Sequence, residues 1–276
     1  MRVEVLSDHG GEQLWRTEQQ LRSAEANTAA WADRYRQSQD YLRVVRSEKP
    51  LWKRIFAVPT PTEREARAHV QETWQEVVHA DVGRQQAFGR RQQRAAGLWG
   101  EDTLAWALSV LPDEWVMLRG YHNRRGETDH VLVGPQGVWA VEVKRRRVRL
   151  NVAGDQWWYE KLDSYGNVVE TGPAVDGGGR SWARQVNDIA GDLTSWLNRK
   201  GHQIRVSTAV MLLHERAQLG RIEDLTVDLL ANHPRYLLDE LYRSPPALPP
   251  QTCADIVGLI RRDHQFHAER RRHRRS

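Results

Sequence analysis

The sequence predicts a mixed α/β protein: a mixed sheet flanked by helices, preceded by a helical N-terminal region. Three observations predict it. Between Leu14 and Val45 the positions Leu14, Thr17, Leu21, Ala24, Thr28, Trp31, Tyr35, Ser38, Leu42 and Val45 follow one another in alternating steps of three and four, which is helix periodicity. Thr128–Val133 and Val138–Lys144 are β-branched, apolar runs joined by Gly134-Pro135-Gln136-Gly137, the punctuation of a hairpin. An amphipathic stretch from about Ser181, with Val186, Ile189, Leu193, Trp196 and Leu197 on one side, leads into Ile204–Leu213, nearly all apolar after Ser207. A helix feeding a strand of that kind reads as a β-α-β crossover into an interior strand covered on both faces.

Taken in order, the chain divides into residues 1–95, 96–232 and 233–276. In the first region Thr17, Thr28 and Ser38 interrupt the seam, so an amphipathic helix packing on a partner helix is expected rather than a long coiled coil. These helices offer a surface for self-association. Pro50 ends the first helix, and the basic, aromatic Leu51–Phe56 reads as a connector. Thr60 is the expected N-cap of a second helix with Pro61 in its first turn. That helix runs past Val70, Trp74, Val77, Val78 and Val82, and Gly83 and Gly89 leave open whether it continues, within a region, 12–95, that reads as helical.

At Gly97-Leu98-Trp99-Gly100-Glu101 the texture changes. Glu101 is read as opening a new helix with Leu104, Ala107, Leu108 and Leu111, closed by Pro112. Trp115–Leu118 begins a strand. Gln156–Glu160 and Asn167–Val169 form a second hairpin, whose aromatics are expected to pack on a sheet face rather than stack on bases. Asp176–Gly179 is a loop without the GK[ST] ending of a phosphate-cradling P-loop. Gly201 ends the crossover helix. Leu225–Leu230 reads as a further strand, Tyr236–Tyr242 and Thr252–Arg262 as helices, and the arginine-rich end as disordered.

Composition narrows the function classes. No apolar run approaches the length of a transmembrane helix, and the start lacks the apolar core of a secretion signal. Cys253 is the only cysteine, which excludes internal disulfides and cysteine-based zinc clusters and suits a reducing cytoplasm. The net charge of +5 resides in Arg261–Ser276, so any attraction for nucleic acid elsewhere must be local. Neither a G-x-S-x-G elbow nor an H-E-x-x-H zinc motif is present.

The hairpin carries the chemistry. If Pro135 and Gln136 form a two-residue loop, Asp129 lies opposite Glu142, and alternation puts Glu142 and Lys144 on one face. A three-residue loop with Gly137 in a bulge would shift that register by one. Two facing carboxylates with a backbone carbonyl suit Mg²⁺ or Mn²⁺. A lysine beside such an ion can lower the pKa of an attacking water, hold it, or neutralise charge growing on a phosphate. The bland alternative is an edge hairpin whose charges face water. Arg145, Arg146, Arg147 and Arg149 follow directly, where phosphate would bind.

With these residues in view, residues 97–213 resemble the nuclease-related domain (NERD), a branch of the PD-(D/E)xK nuclease superfamily. The resemblance is carried by Gly97-x-x-Gly100-Glu101, by Thr128-Asp129-His130-Val131-Leu132-Val133-Gly134-Pro135-x-Gly137, by Val141-Glu142-Val143-Lys144, and by a later helix bearing Gln185. It implies a nuclease-like mixed sheet flanked by helices, with Asp129 and Glu142 as metal ligands and Lys144 as the catalytic lysine. Glu101 is then an accessory acid at the metal and Gln185 a polar helix residue facing the site. One departure stands out: the family usually has Asn-Pro just before that glutamine, whereas Ser181-Trp182 stand here. The resemblance implies a Mg²⁺-dependent nuclease in DNA processing. Its rivals are a non-catalytic nucleic-acid-binding module on the same fold, and an interaction protein built around the N-terminal helices.

Overall fold

The structure is a computed structural model that describes residues 1–50, 52–53 and 58–273. The connector expected over Leu51–Phe56 falls largely outside these residues. The chain forms two compact units, Gly10–Ala95 and Met1–His9 together with Ala96–Ser276.

The first unit consists of helix α1 (His9–Ser47) and the greater part of helix α2 (Pro61–Leu108). Thr60 caps α2 as expected, its Oγ1 accepting from the Glu63 amide at 3.1 Å. Small and polar side chains lie between the helices. Ala66, Ala80 and Ala87 are buried, and the hydroxyls of Ser38 and Thr73 lie 2.9 Å apart. Ser38, an interruption of the apolar seam, is thus a satisfied buried contact. Glu63 is enclosed with Lys49 at 2.8 Å and Arg67 at 2.7 Å.

One point the glycines left open is answered, and one expectation drawn from them fails. Helix α2 runs unbroken through Gly83, Gly89, Gly97 and Gly100, so Glu101 does not open a helix but sits inside one. A helical glycine costs only about 1 kcal/mol relative to alanine, and the helix formers around each of these outweigh that.

The second unit is built on a six-stranded mixed sheet in the order β1-β2-β3-β4-β8-β10. These strands are β1 (Arg2–Val5), β2 (Val116–Asn123), β3 (Gly126–Gly134), β4 (Gly137–Lys144), β8 (Val206–Leu212) and β10 (Leu229–Ala231). β2, β3 and β4 are antiparallel; β4, β8 and β10 run parallel, as the crossover reading requires. A second sheet, β7-β6-β5-β9, comprises β5 (Val148–Ala153), β6 (Gln156–Leu162), β7 (Val168–Pro173) and β9 (Gln218–Glu223). Trp157 is buried and Tyr159 packs against the core, so these aromatics serve the sheet as predicted.

Helices α3 (Trp182–Arg199) and α5 (Pro250–His273) and the second sheet share one core with Val131, Val133, Val138, Ala140 and Val210. On the opposite face the end of α2 (Leu104, Leu108) and helix α4 (Pro234–Arg243) pack on Leu132, Trp139, Val141, Val143 and Met211. The sequence reading singled out neither β5 nor β9, and the strand expected over Leu225–Leu230 is confined to Leu229–Ala231, the preceding residues forming a bend. Two further features lie at the ends of the chain. Residues 2–5 add a strand parallel to β2, with Glu4 paired to Arg261 of α5. The arginine-rich end, expected to be disordered, continues α5 to His273, since arginine is a good helix former when one face has a core to pack on.

Candidate metal and phosphate site

The β3–β4 hairpin turns through Pro135 and Gln136, with Gly134 opposite Gly137 and the ladder running to His130 opposite Val141. The tip is held from outside: the Pro135 carbonyl accepts from the amides of Ala247 and Leu248, both at 2.8 Å. Gly134 admits no side chain, because a Cβ there would stand 2.2 Å from the buried Trp115 indole. Below His130 side chains take over the ladder. The Val143 amide donates to Asp129 Oδ2 at 2.6 Å, and Thr128 Oγ1 donates to the Val141 carbonyl at 3.1 Å. Asp129 shares its strand face with Val131 and Val133, and Glu142 and Lys144 share theirs with Val138 and Ala140. All three therefore face α3.

Helix α3 completes the site. Ser181 caps it, its Oγ accepting from the Arg184 amide at 3.2 Å. One turn in, Gln185 Nε2 donates to Glu142 Oε1 at 2.8 Å and to the Glu127 carbonyl at 3.3 Å. Lys144 Nζ donates to the same Glu142 oxygen at 2.5 Å. The amine lies 5.9 Å from the ring centre of buried Trp182, whose Nε1 is tied to the Val175 carbonyl at 3.2 Å. The structure thus brings Asp129, Glu142, Lys144 and Gln185 together.

Glu101 stands apart from this hydrogen-bond network. It comes from α2, on the other side of the sheet, and reaches Arg119 at 3.5 Å; Arg119 also pairs with Asp102 at 2.8 Å. Its charge nevertheless acts on the site through space. Burial raises the Glu101 carboxyl to about 7 against the pull of Arg119. Burial, with the charges of Glu142 and Glu101, holds Asp129 well above the usual carboxylate range. Burial alone would lower the Lys144 ammonium, but Glu142 and Asp129 outweigh it and keep the amine above its ordinary value, hence protonated. His130, on the opposite face, is fully enclosed; burial and Arg119 hold it down to about 3, so its ring is neutral.

Among the described residues no three His, Cys, Asp or Glu side chains form a ready metal cage. The reason is visible: Glu142 Oε1 is engaged by Lys144 and Gln185, and Asp129 is turned toward the Val143 amide. The donor set still suits a hard divalent cation. Glu142 Oε2 and Gln185 Oε1 are buried oxygens with no hydrogen-bond partner. Buried acceptors without a donor are costly, and a cation satisfies them.

The four arginines divide. Arg145 pairs with Glu215 at 3.1 Å and lies 4.1 Å from the Trp99 ring centre. Arg147 donates to the Asp163 carbonyl, and Arg149 to Glu160 and Gln218, both at 3.1 Å. Arg146 instead stands over Trp182 and Tyr159. The sequence reading missed these two rings as parts of the site. The one available signal was the departure at Ser181-Trp182, since Trp182 stands where the family pattern has a proline and supplies the surface beneath both Lys144 and Arg146.

A mixed sheet carrying clustered acids and a lysine at a hairpin, faced by a helix glutamine, is the arrangement of a nuclease-like α/β domain. Residues 96–213 match the family model described as the nuclease-related domain, which covers less than half of the chain and includes all five of Glu101, Asp129, Glu142, Lys144 and Gln185. No curated protein and no solved structure matches the chain. No helix among the described residues is long and apolar enough to cross a membrane.

Proposed function

We propose that this protein is a Mg²⁺- or Mn²⁺-dependent nuclease that hydrolyses phosphodiester bonds, with DNA as its substrate. The observation that carries the reading is the buried Glu142 Oε2, which has no hydrogen-bond partner and belongs to the sheet face that also carries Asp129 and Lys144. Asp129 and Glu142 would hold the ion, and Glu101 would add negative potential as an accessory acid. When bound, the ion supplies Lewis-acid polarisation of the phosphate.

The chain's own groups do the rest. Gln185 fixes the Glu142 carboxylate through its amide, and the Val143 amide fixes Asp129. Lys144 is held at the site by its hydrogen bond to Glu142. It orients the attacking water by donating to it and offsets charge growing on the phosphate. The buried Trp182 ring lies beside the amine, its centre 5.9 Å away, and favours its positive charge.

The test is cleavage of supercoiled and linear DNA by purified protein with Mg²⁺ or Mn²⁺. Wild type should nick or degrade it, and Asp129→Ala and Lys144→Ala should abolish cleavage without loss of fold. Activity that survives either substitution refutes the assigned roles. Salt-dependent binding with no cleavage under any divalent ion would establish a binding module instead.

A further inference from the structure

Resting on the hydrolase reading, we propose that Arg146 is the residue that grips the non-bridging oxygens of the bound phosphodiester. Its three arginine neighbours are spent on Glu215, on the Asp163 carbonyl, and on Glu160 with Gln218. The Arg146 side chain has neither a hydrogen bond nor an ion pair among the described residues. Its guanidinium lies 5.5 Å from the ring centre of Trp182 and 5.8 Å from that of Tyr159. Lys144 contacts the same Trp182 ring at 5.9 Å.

Two cations therefore share one indole; Lys144 is paired with Glu142, whereas Arg146 meets a carboxylate, that of Glu170, only through space. Holding like charges close is unfavourable unless an anion arrives between them. Both rings lie within cation–π range of the guanidinium, and its N–H groups have no hydrogen-bond partner among the described residues, which leaves them for the paired hydrogen bonds that suit phosphate. Because the side chain is half-buried and already ordered, little freedom remains to be lost when substrate binds.

The experiment uses the full chain and the variants Arg146→Ala, Arg146→Lys and, as a control, Arg205→Ala, whose guanidinium pairs with Asp228. Two quantities are read: the single-turnover cleavage rate of a DNA duplex with Mn²⁺, and the salt dependence of binding to the same duplex with no metal added. Arg146→Ala should slow cleavage about 10²–10³-fold and lower the slope of log affinity against log salt by about one contact. Arg146→Lys should keep the slope and recover part of the rate, whereas Arg205→Ala should match wild type in both. A lost fold would not spare the slope in one variant and the rate in another, and melting curves check it directly. An Arg146→Ala protein with wild-type rate and slope overturns the assignment. If wild type itself does not cleave, the hydrolase reading falls, and an unchanged slope in Arg146→Ala overturns this one separately.

Discussion

The hydrogen bond from Gln185 to Glu142 yields the sharpest quantitative expectation. Gln185 touches one oxygen of Glu142 at 2.8 Å, in a part of the protein where that carboxylate's second oxygen has no donor. A hydrogen bond to a charged group contributes about 1.5–3 kcal/mol. A tenfold change in affinity corresponds to about 1.4 kcal/mol. Gln185→Ala should therefore weaken Mn²⁺ binding by roughly 10–100-fold, the range found when groups that orient metal ligands are removed. The Glu127 carbonyl, Gln185's other partner, is farther away at 3.3 Å, so its loss adds little. Calorimetric titration of Mn²⁺ into the full chain reads the effect, with Glu142→Ala as the reference for complete loss. If Gln185→Ala binds Mn²⁺ like wild type while Glu142→Ala does not bind it, Gln185 does not orient the ligand. If both bind like wild type, Glu142 is not a ligand at all.

Other consequences follow from the same geometry. Because Glu101 is raised to about 7, Mn²⁺ affinity should climb as pH rises through that value, each binding event releasing protons, and the climb should flatten in Glu101→Gln; an identical pH slope in both proteins excludes Glu101 from the field at the site. In the helical unit, hydrogen bonds from Lys49 and Arg67 lower Glu63 from 4.5 to about 2. A depressed acid stabilises the fold above its ordinary pKa and loses that contribution as pH falls toward the depressed value. Glu63→Gln should thus melt earlier than wild type at neutral pH, with the two melting temperatures converging between 4.5 and about 2, and a constant gap would refute the linkage. Gly134→Ala forces a methyl to 2.2 Å from the Trp115 ring, which is 1 % exposed and has nowhere to move. It should cost about 3 kcal/mol, at the upper end for overpacking, seen as a lower midpoint in urea; a wild-type midpoint would show that the indole can shift.

Much of the site was legible because its geometry is local. A two-residue loop and a side-chain period of two leave one register, so Pro135-Gln136 alone places Asp129 beside Glu142 and sends Lys144 to the same face. The crossover from α3 into β8 was equally readable, since a strand covered on both faces can be apolar at nearly every position. The glycines of α2 misled because punctuation is only a propensity of about 1 kcal/mol each, which surrounding residues override.

What the chain determined by itself is the hairpin, its register and the identity of the acids and the lysine. Tertiary structure decided everything that depends on partners far away in sequence. It set residues 2–5 beside β2, brought Gln185 across to Glu142, and kept Glu101 on the other side of the sheet, paired with Arg119. It also separated four closely spaced arginines into two paired with the carboxylates of Glu215 and Glu160, one hydrogen-bonded to the Asp163 carbonyl, and one with no hydrogen bond or ion pair among the described residues. Periodicity specifies which face a side chain takes, but only the packed neighbours supply the opposite charge, and those neighbours come from other elements of the fold.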